Sequence, residues 1–410
     1  MKLVERKKYI EYLDKVKNTP DIKVVTGIRR SGKSELLKSF MEKLKIENPK
    51  ANFISIDLSS IEYENLLDYH NLNNYIEGNH KKNVKNYLFI DEIQNCHNFE
   101  RTINSLHSKK LFDMYLTGSN AFLLSSDLVT FFTGRTMEVS IFPFSFNEFM
   151  QYFEYSDLQE GFNKYIEIGG FAGSYYYNDK KTINDYVNNV FNNLIDRDII
   201  KKFGIRDHKL TKNLATFLAD NISNLTSSRK IANILSTKDF NENHNTISKY
   251  INYLCNSFMF YEMKRFDLKG KQILNTTEKY YLADHSLKYA LLTNSQKETN
   301  FFQSQQDYGN LLENIIAIEL LRRGYKTHVG KLYQKEIDFV ASDYLGNRFY
   351  IQVGANIDNN ETFKREITPL LQIKDNYPKI ILSRTKFQQE IVDGVKVIDI
   401  AQWLNYEIDF

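Results

Sequence analysis

Residues 27–34 read Gly-Ile-Arg-Arg-Ser-Gly-Lys-Ser and fit G-x-x-x-x-G-K-[ST] at every fixed position. Gly27 and Gly32 allow a tight turn whose N–H groups point at phosphate oxygens. Lys33 would reach the β- and γ-phosphates of ATP, and the Ser34 hydroxyl would ligate Mg²⁺. The candidate phosphate cradle is therefore Gly27, Ile28, Arg29, Arg30, Ser31, Gly32, Lys33 and Ser34, with the side chains of Arg29 and Arg30 read as solvated. Downstream, "YLFIDEIQ" runs four apolar residues, 87–90, into Asp91-Glu92. Asp91 would hold Mg²⁺ through water, and Glu92 would polarise the attacking water as the catalytic base.

Two further places bear on the same chemistry. "YLTGSN" ends an apolar run with Thr117, Ser119 and Asn120. Either Ser119 or Asn120 would position the attacking water, the role called sensor 1. "FFTGRTMEV" contains Gly134-Arg135. Arg135 reads either as a surface arginine or as an arginine finger acting on a neighbouring subunit's γ-phosphate, which would require a homo-oligomer.

A separate stretch, "EIDFVASDYLGNRFYIQVGAN" at 336–356, has the outline of a metal-dependent nuclease. Glu313 on a preceding helix, Asp338 at a strand and Gln352 on the next strand stand where such an enzyme places its metal-binding groups. The lysine position is Gly354, with Lys364 on the following helix as a substitute. Glu313 and Asp338 retain the charge to ligate a cation. With Gln352 neutral and the lysine missing, the expectation is a scaffold that does not cut DNA.

These residues need elements to hold them. Apolar runs at 22–27, 52–58, 86–92 and 113–119 each end in polar residues and alternate with helical stretches such as 33–45, which indicates a parallel α/β sheet with ligands at the strand C-termini. From about 150 the chain turns helical, with a long helix expected over 185–203. Helices at 227–236 and 245–260, then extended chain and a Lys-Gly-Lys turn within 260–282, suggest a winged helix. Lys249, Lys264, Arg265, Lys269 and Lys271 would make few phosphate contacts, so a DNA or a protein client remains open there. Helix, strands 336–341 and 348–354, helix 361–374 and strand 379–383 form a second α/β region.

Bulk properties bound the rest. The 410 residues carry 42% hydrophobic and 14% aromatic side chains, enough for two or three packed domains. A net charge of +3 does not by itself demand nucleic acid. Two distant cysteines, a charged N-terminal segment unlike a signal peptide, and no apolar run of bilayer length point to the cytoplasm and away from membranes.

The chain resembles the bacterial and archaeal AAA-type ATPases that carry a C-terminal domain of unknown function, DUF4143. The likeness rests on "VTGIRRSGKS" (25–34), "FIDEIQ" (89–94), "LTGSNAFLL" (116–124), "GR" (134–135) and "IFPFSFNEF" (141–149). It continues through "YIEIGGF" (165–171), "DRDIIKKF" (196–203), "KYYLADHSLKYALL" (279–292), "GNLLENIIAIEL" (309–320) and "EIDFV…YIQV" from 336. The resemblance implies an AAA-type P-loop NTPase core over 1–150, a helical lid over 151–205, a winged helix over 206–295 and a restriction-endonuclease-like domain over 300–410. The expected activity is Mg²⁺-dependent ATP hydrolysis coupled to a protein or nucleic-acid partner. The rival readings are an ATP-regulated DNA nuclease and a binding module that holds ATP as a structural ligand.

Overall fold

The computed structural model describes residues 4–119, 134–235, 243–293, 305–355, 357, 360–385, 389–408 and 410. Val4–Ile141 with Asn256–Phe258 form one compact unit, and Phe142–Cys255 with Met259–Phe410 form the other.

In the first unit, five strands make a wholly parallel sheet: β1 (Ile22–Thr26), β2 (Asn52–Asp57), β3 (Asn86–Asp91), β4 (Asp113–Gly118) and β5 (Thr136–Ser140), in the order β2-β3-β4-β1-β5. Helices cover both faces, which is why the strands read as unbroken apolar runs rather than alternating ones. The pleat sends successive side chains to opposite sides. Val24, Leu88, Ile90 and Leu116 pack on one face with Leu72 and Ile76 of α3 (Tyr69–Gly78) and Ile103 and Leu106 of α4 (Phe99–Lys109). Val25, Phe89 and Tyr115 pack on the other with Leu13 of α1 (Lys7–Val16) and Leu36 and Phe40 of α2 (Lys33–Glu47). The strand order puts β4 between β1 and β3, so the ends of these three strands meet at one edge of the sheet.

The opposite edge carries a buried ion pair. Lys23 Nζ lies 2.5 Å from Asp113 Oδ1 and donates to the Thr19 carbonyl at 2.9 Å. The Asn18 N–H and Tyr115 hydroxyl donate to Asp113 Oδ2 at 2.8 and 3.0 Å. The pair ties the start of β1 to the start of β4.

In the second unit, the long helix expected over 185–203 is α-helical only over Lys180–Asn193, then widens to a π-helical stretch over Leu194–Lys201. Leu194 and Ile195 are buried, and so are Ile199 and Ile200 five residues on, a spacing that suits the i→i+5 turn better than 3.6. Beyond it an eight-stranded mixed sheet contains β6 (Phe260–Asp267), β7 (Gln272–Leu282), β8 (Lys326–Leu332), β9 (Lys335–Ser342), β10 (Arg348–Gly354), β11 (Lys379–Ser383), β12 (Gln389–Val392) and β13 (Val395–Asp399). Its order is β12-β13-β11-β10-β9-β8-β6-β7. The hairpin read as the wing of a winged helix is built into the C-terminal sheet: Arg265–Asp267 of β6 pair in parallel with Val329–Lys331 of β8. Sequence patterning missed β8 and with it the join. Of the wing cations, Arg265 is half-buried in this sheet, while Lys264, Lys269 and Lys271 stay exposed.

Removing one partner of the Lys23–Asp113 pair leaves a buried charge without its counterion. Lys23→Met is expected to lower unfolding stability in urea by about 3–5 kcal/mol, and adding Asp113→Leu to recover most of it. A single variant as stable as the wild type would show that the pair does not hold these strands.

Candidate functional site

β1 stops at Thr26 because Gly27 turns the chain with φ 147°, a backbone angle that favours glycine. A Cβ there would stand 2.1 Å from the Ile141 carbonyl oxygen, so a side chain has no room. Gly32 caps α2 in the left-handed region, leaving the first N–H groups of the helix directed at the loop it encloses. Lys33 is buried and donates to the carbonyls of Gly27 and Ile28 at 3.0 and 3.1 Å, which fixes its ammonium against the loop. The Ser31 hydroxyl is buried in the same loop with no hydrogen-bond partner. Arg29 is half-buried and Arg30 exposed.

The acidic pair meets this loop through β3. Ser34 Oγ donates to Asp91 Oδ2 at 2.5 Å, so hydroxyl and carboxylate converge 57 residues apart in sequence. Glu92 is the first residue past β3 and sits in the left-handed region at φ 52°, which turns its side chain off the strand course. Its N–H donates to Thr117 Oγ1 at 2.9 Å, and the same Thr117 hydroxyl donates to Asp91 Oδ1. Ser119 Oγ donates to Glu92 Oε1 at 2.8 Å, while Gln94 Nε2 donates to Oε2. Both carboxylate oxygens are thus oriented by neighbours.

The structure brings Ser34, Asp91, Glu92 and Ser119 together, with Lys33 held against the adjoining loop. Of the two sensor candidates, Ser119 touches Glu92, and Asn120 lies outside the described residues. Arg135 is exposed and immediately precedes β5, where its carbonyl accepts from the Ile22 N–H at 2.8 Å. Ile22 is the first residue of β1 and Gly27 follows the last, a strand of five residues or about 16 Å away. Arg135 thus stands at the far edge of the sheet from its own P-loop.

Three contributors escaped sequence reading. Thr117, wholly buried, links Asp91 to Glu92; a threonine ending an apolar run was the only signal. Gln94 follows two residues after Glu92 as the last letter of "FIDEIQ". Arg6 is buried on the segment before α1 and donates from Nη1 to the Ser31 carbonyl at 2.9 Å, with its guanidinium 4.6 Å from the centre of the Tyr9 ring. Nothing in its local sequence marks it.

The nuclease-like positions are also brought together, with an unexpected companion. Glu313, on the helix Gln305–Arg322, accepts from the Lys279 ammonium at 2.8 Å and from the Tyr281 hydroxyl at 2.7 Å. Lys279 also lies 2.7 Å from Glu336. Asp338 Oδ2 accepts from the Val353 N–H at 2.8 Å, and its own N–H donates to Gln352 Oε1 at 3.2 Å. Gln352 Nε2 in turn donates to Glu366 Oε2 at 3.2 Å. Burial, then the nearby Glu313, hold the Asp338 carboxyl well above the usual range. Burial also raises Glu313, against the pull of Lys279. Burial alone would lower the Lys279 ammonium, but Glu313, Asp338 and Glu336 together carry it above its usual value. Lys364 is exposed, and the group its helix sets beside Gly354 is Glu366, whose Cγ would lie 3.6 Å from a Cβ at that position. Among the described residues, no group of three or more His, Cys, Asp or Glu side chains is arranged to hold a metal ion, and no helix is long and apolar enough to cross a membrane.

Residues 19–150 match the family model of an AAA domain, 159–298 a domain of unknown function (DUF8612), and 308–403 a domain of unknown function (DUF4143). An uncharacterized protein of Haemophilus influenzae is 35% identical over 408 residues, covering 98% of each chain. An uncharacterized protein of Methanocaldococcus jannaschii is 29% identical over 388 residues, covering 90% of this chain and 82% of that one. Among solved structures, AMPPCP-bound DnaA from Aquifex aeolicus is similar at TM-score 0.30 and 16% identity, over 60% of this chain and 77% of that one, a likeness too slight to build on.

Thr117→Val removes one hydroxyl and strands both the Glu92 N–H and Asp91 Oδ1. It is expected to cost about 1–3 kcal/mol of stability. Any nucleotide turnover should fall roughly 10–100-fold, with binding affinity nearly unchanged. Thr117→Ser should restore both. If Thr117→Val turns over nucleotide like the wild type, the bridge does not orient the acidic pair.

Proposed function

The chain belongs to the family that joins an N-terminal AAA domain to a C-terminal DUF4143 domain, and from that premise we propose that its N-terminal unit binds ATP and hydrolyses it with Mg²⁺. The observation that carries this reading is the Ser34–Asp91 contact beside Glu92, at the sheet edge where the P-loop turns into α2.

The donor set suits nucleotide and metal. Gly27 and Gly32 shape a loop with N–H groups on its inner side, the N-terminus of α2 adds positive potential, and Lys33 supplies a full charge. The orphaned Ser31 hydroxyl gives this loop a further polar atom in need of a partner. Ser34 and Asp91, a hydroxyl and a carboxylate already in contact, would hold Mg²⁺, an oxygen-seeking ion that offsets phosphate charge when bound.

The chain's own residues then divide the work. Lys33 and the loop N–H groups hold the phosphates and disperse charge that builds on them. Glu92 accepts a proton from the attacking water, and Ser119 and Gln94 aim its two oxygens. Thr117 keeps Asp91 and Glu92 in fixed relation, so that metal holding and proton acceptance occur in one geometry. Arg135, at the other edge of the sheet, has no route to its own P-loop, and its proposed role is to serve that of a second copy. Turnover in such an assembly would drive a partner through the helical and mixed-sheet regions.

Lys33→Ala should abolish ATP binding, whereas Glu92→Gln should bind ATP and lose turnover by a hundredfold or more. Equilibrium titration with a fluorescent ATP analogue beside a phosphate-release assay separates the two. Glu92→Gln turning over at the wild-type rate would remove the base from this account.

For Arg135, the expected pattern is normal ATP binding by Arg135→Ala with turnover reduced on the order of a thousandfold. Mixing it with Lys33→Ala should restore part of the activity, because one interface in the mixture then joins an intact arginine to an intact P-loop. Full activity of Arg135→Ala, or a protein that stays monomeric with ATP, would rule the trans role out.

A further inference from the structure

The C-terminal sheet brings Glu313, Asp338 and Gln352 together at the positions where a metal-dependent nuclease holds its cation, and a lysine is already among them. Lys279 comes from β7, on the hairpin whose partner strand β6 pairs with β8. Its side chain is 3% exposed, and its ammonium stands 2.8 Å from Glu313 and 2.7 Å from Glu336. The Tyr281 hydroxyl, from the same strand, closes on the same Glu313 oxygen.

A divalent ion does not fit this arrangement. Metal and ammonium would compete for the same carboxylate oxygens, and a buried ammonium close to a divalent cation would be strongly repelled. Asp338 is turned to the Val353 N–H and Gln352 to Glu366, so the groups that would complete a metal shell are engaged with the protein itself.

We propose that the Lys279 ammonium is the resident cation of this site, standing in place of a divalent metal and locking the β6–β7 hairpin to the C-terminal sheet and the helix Gln305–Arg322. The site is thereby a metal-free remnant, and its carboxylates serve the lysine rather than a phosphodiester. A buried lysine surrounded by carboxylates is costly to remove: without it, two or three acidic groups lose the charge that offsets them. The same logic says what would replace it. Once the ammonium is gone, the carboxylates regain their appetite for a hard divalent cation, with an affinity on the order of 0.1–1 mM, as for weak oxygen-ligand sites.

The test uses the full chain without nucleotide, with Mn²⁺ as the probe, in five forms: wild type, Lys279→Met, Lys279→Arg, Asp338→Asn, and Lys279→Met with Asp338→Asn. Mn²⁺ uptake is read by calorimetry and the unfolding midpoint is followed with and without Mn²⁺. Wild type and Lys279→Arg are expected to show no uptake that depends on Asp338, as judged against Asp338→Asn alone. Lys279→Met should unfold more easily, take up Mn²⁺ and regain part of its lost midpoint, and Asp338→Asn added to it should abolish both gains. Asp338-dependent uptake by the wild type overturns the proposal, as does a folded Lys279→Met that takes up none. A Lys279→Met protein that fails to fold even with Mn²⁺ overturns it too, because the ion should then supply the missing charge. Plasmid DNA cut by the wild type in Mn²⁺, with cutting lost in Asp338→Asn, would make Lys279 a catalytic lysine instead.

Discussion

One hydroxyl, that of Thr117, donates a hydrogen bond to Asp91 and accepts one from the Glu92 N–H, and the geometry of the candidate site follows from that pair of bonds. Asp91 ends a strand and Glu92 begins a turn in the left-handed region, so the two carboxylates leave the chain in different directions. Thr117 lies on the neighbouring strand and holds them in register. Asp91 is thereby left with its other oxygen on Ser34, and Glu92 with both of its oxygens on Ser119 and Gln94. None of this is available unless β4 runs between β1 and β3, which in turn depends on the apolar residues that bury both faces of the sheet. The Lys23–Asp113 pair fixes the same strands at their other end.

The two units use buried charge for different ends. In the N-terminal unit the acidic groups at the site are only partly buried and are partnered by hydroxyls, amides and N–H groups, all of which can exchange for water or a ligand. In the C-terminal unit the corresponding carboxylates are buried against an ammonium. Low dielectric strengthens that contact and makes its disruption expensive.

Local patterns were legible where chemistry needs neighbours in sequence. The P-loop from Gly27 to Ser34 and the pair Asp91-Glu92 are such cases, since a strand end and a helix start lie within a few residues of each other. The parallel sheet was legible too, because covered faces leave unbroken apolar runs such as 87–90. Contacts set by strand order were not. Thr117 and Arg6 act through space: Thr117 reaches Glu92 from the neighbouring strand, and Arg6 reaches Ser31 across 25 residues. Lys279 was passed over for the same reason: β8 was missed, and nothing local places this lysine beside Glu313 and Glu336. Arg135 could be recognised by its neighbours, but its place at the far edge of the sheet required the β1–β5 register.

The central claim is the proposal that the Ser34–Asp91–Glu92 arrangement hydrolyses ATP with Mg²⁺, for which Ser34 and Asp91 would be the protein ligands. It is tested most directly by steady-state phosphate release from the purified wild-type chain, with ATP present, first in Mg²⁺, then with the metal chelated, then with Mg²⁺ restored. The account predicts turnover that stops on chelation and returns with Mg²⁺. Tight ATP binding with no phosphate release in Mg²⁺, or release that continues undiminished after chelation, would contradict it.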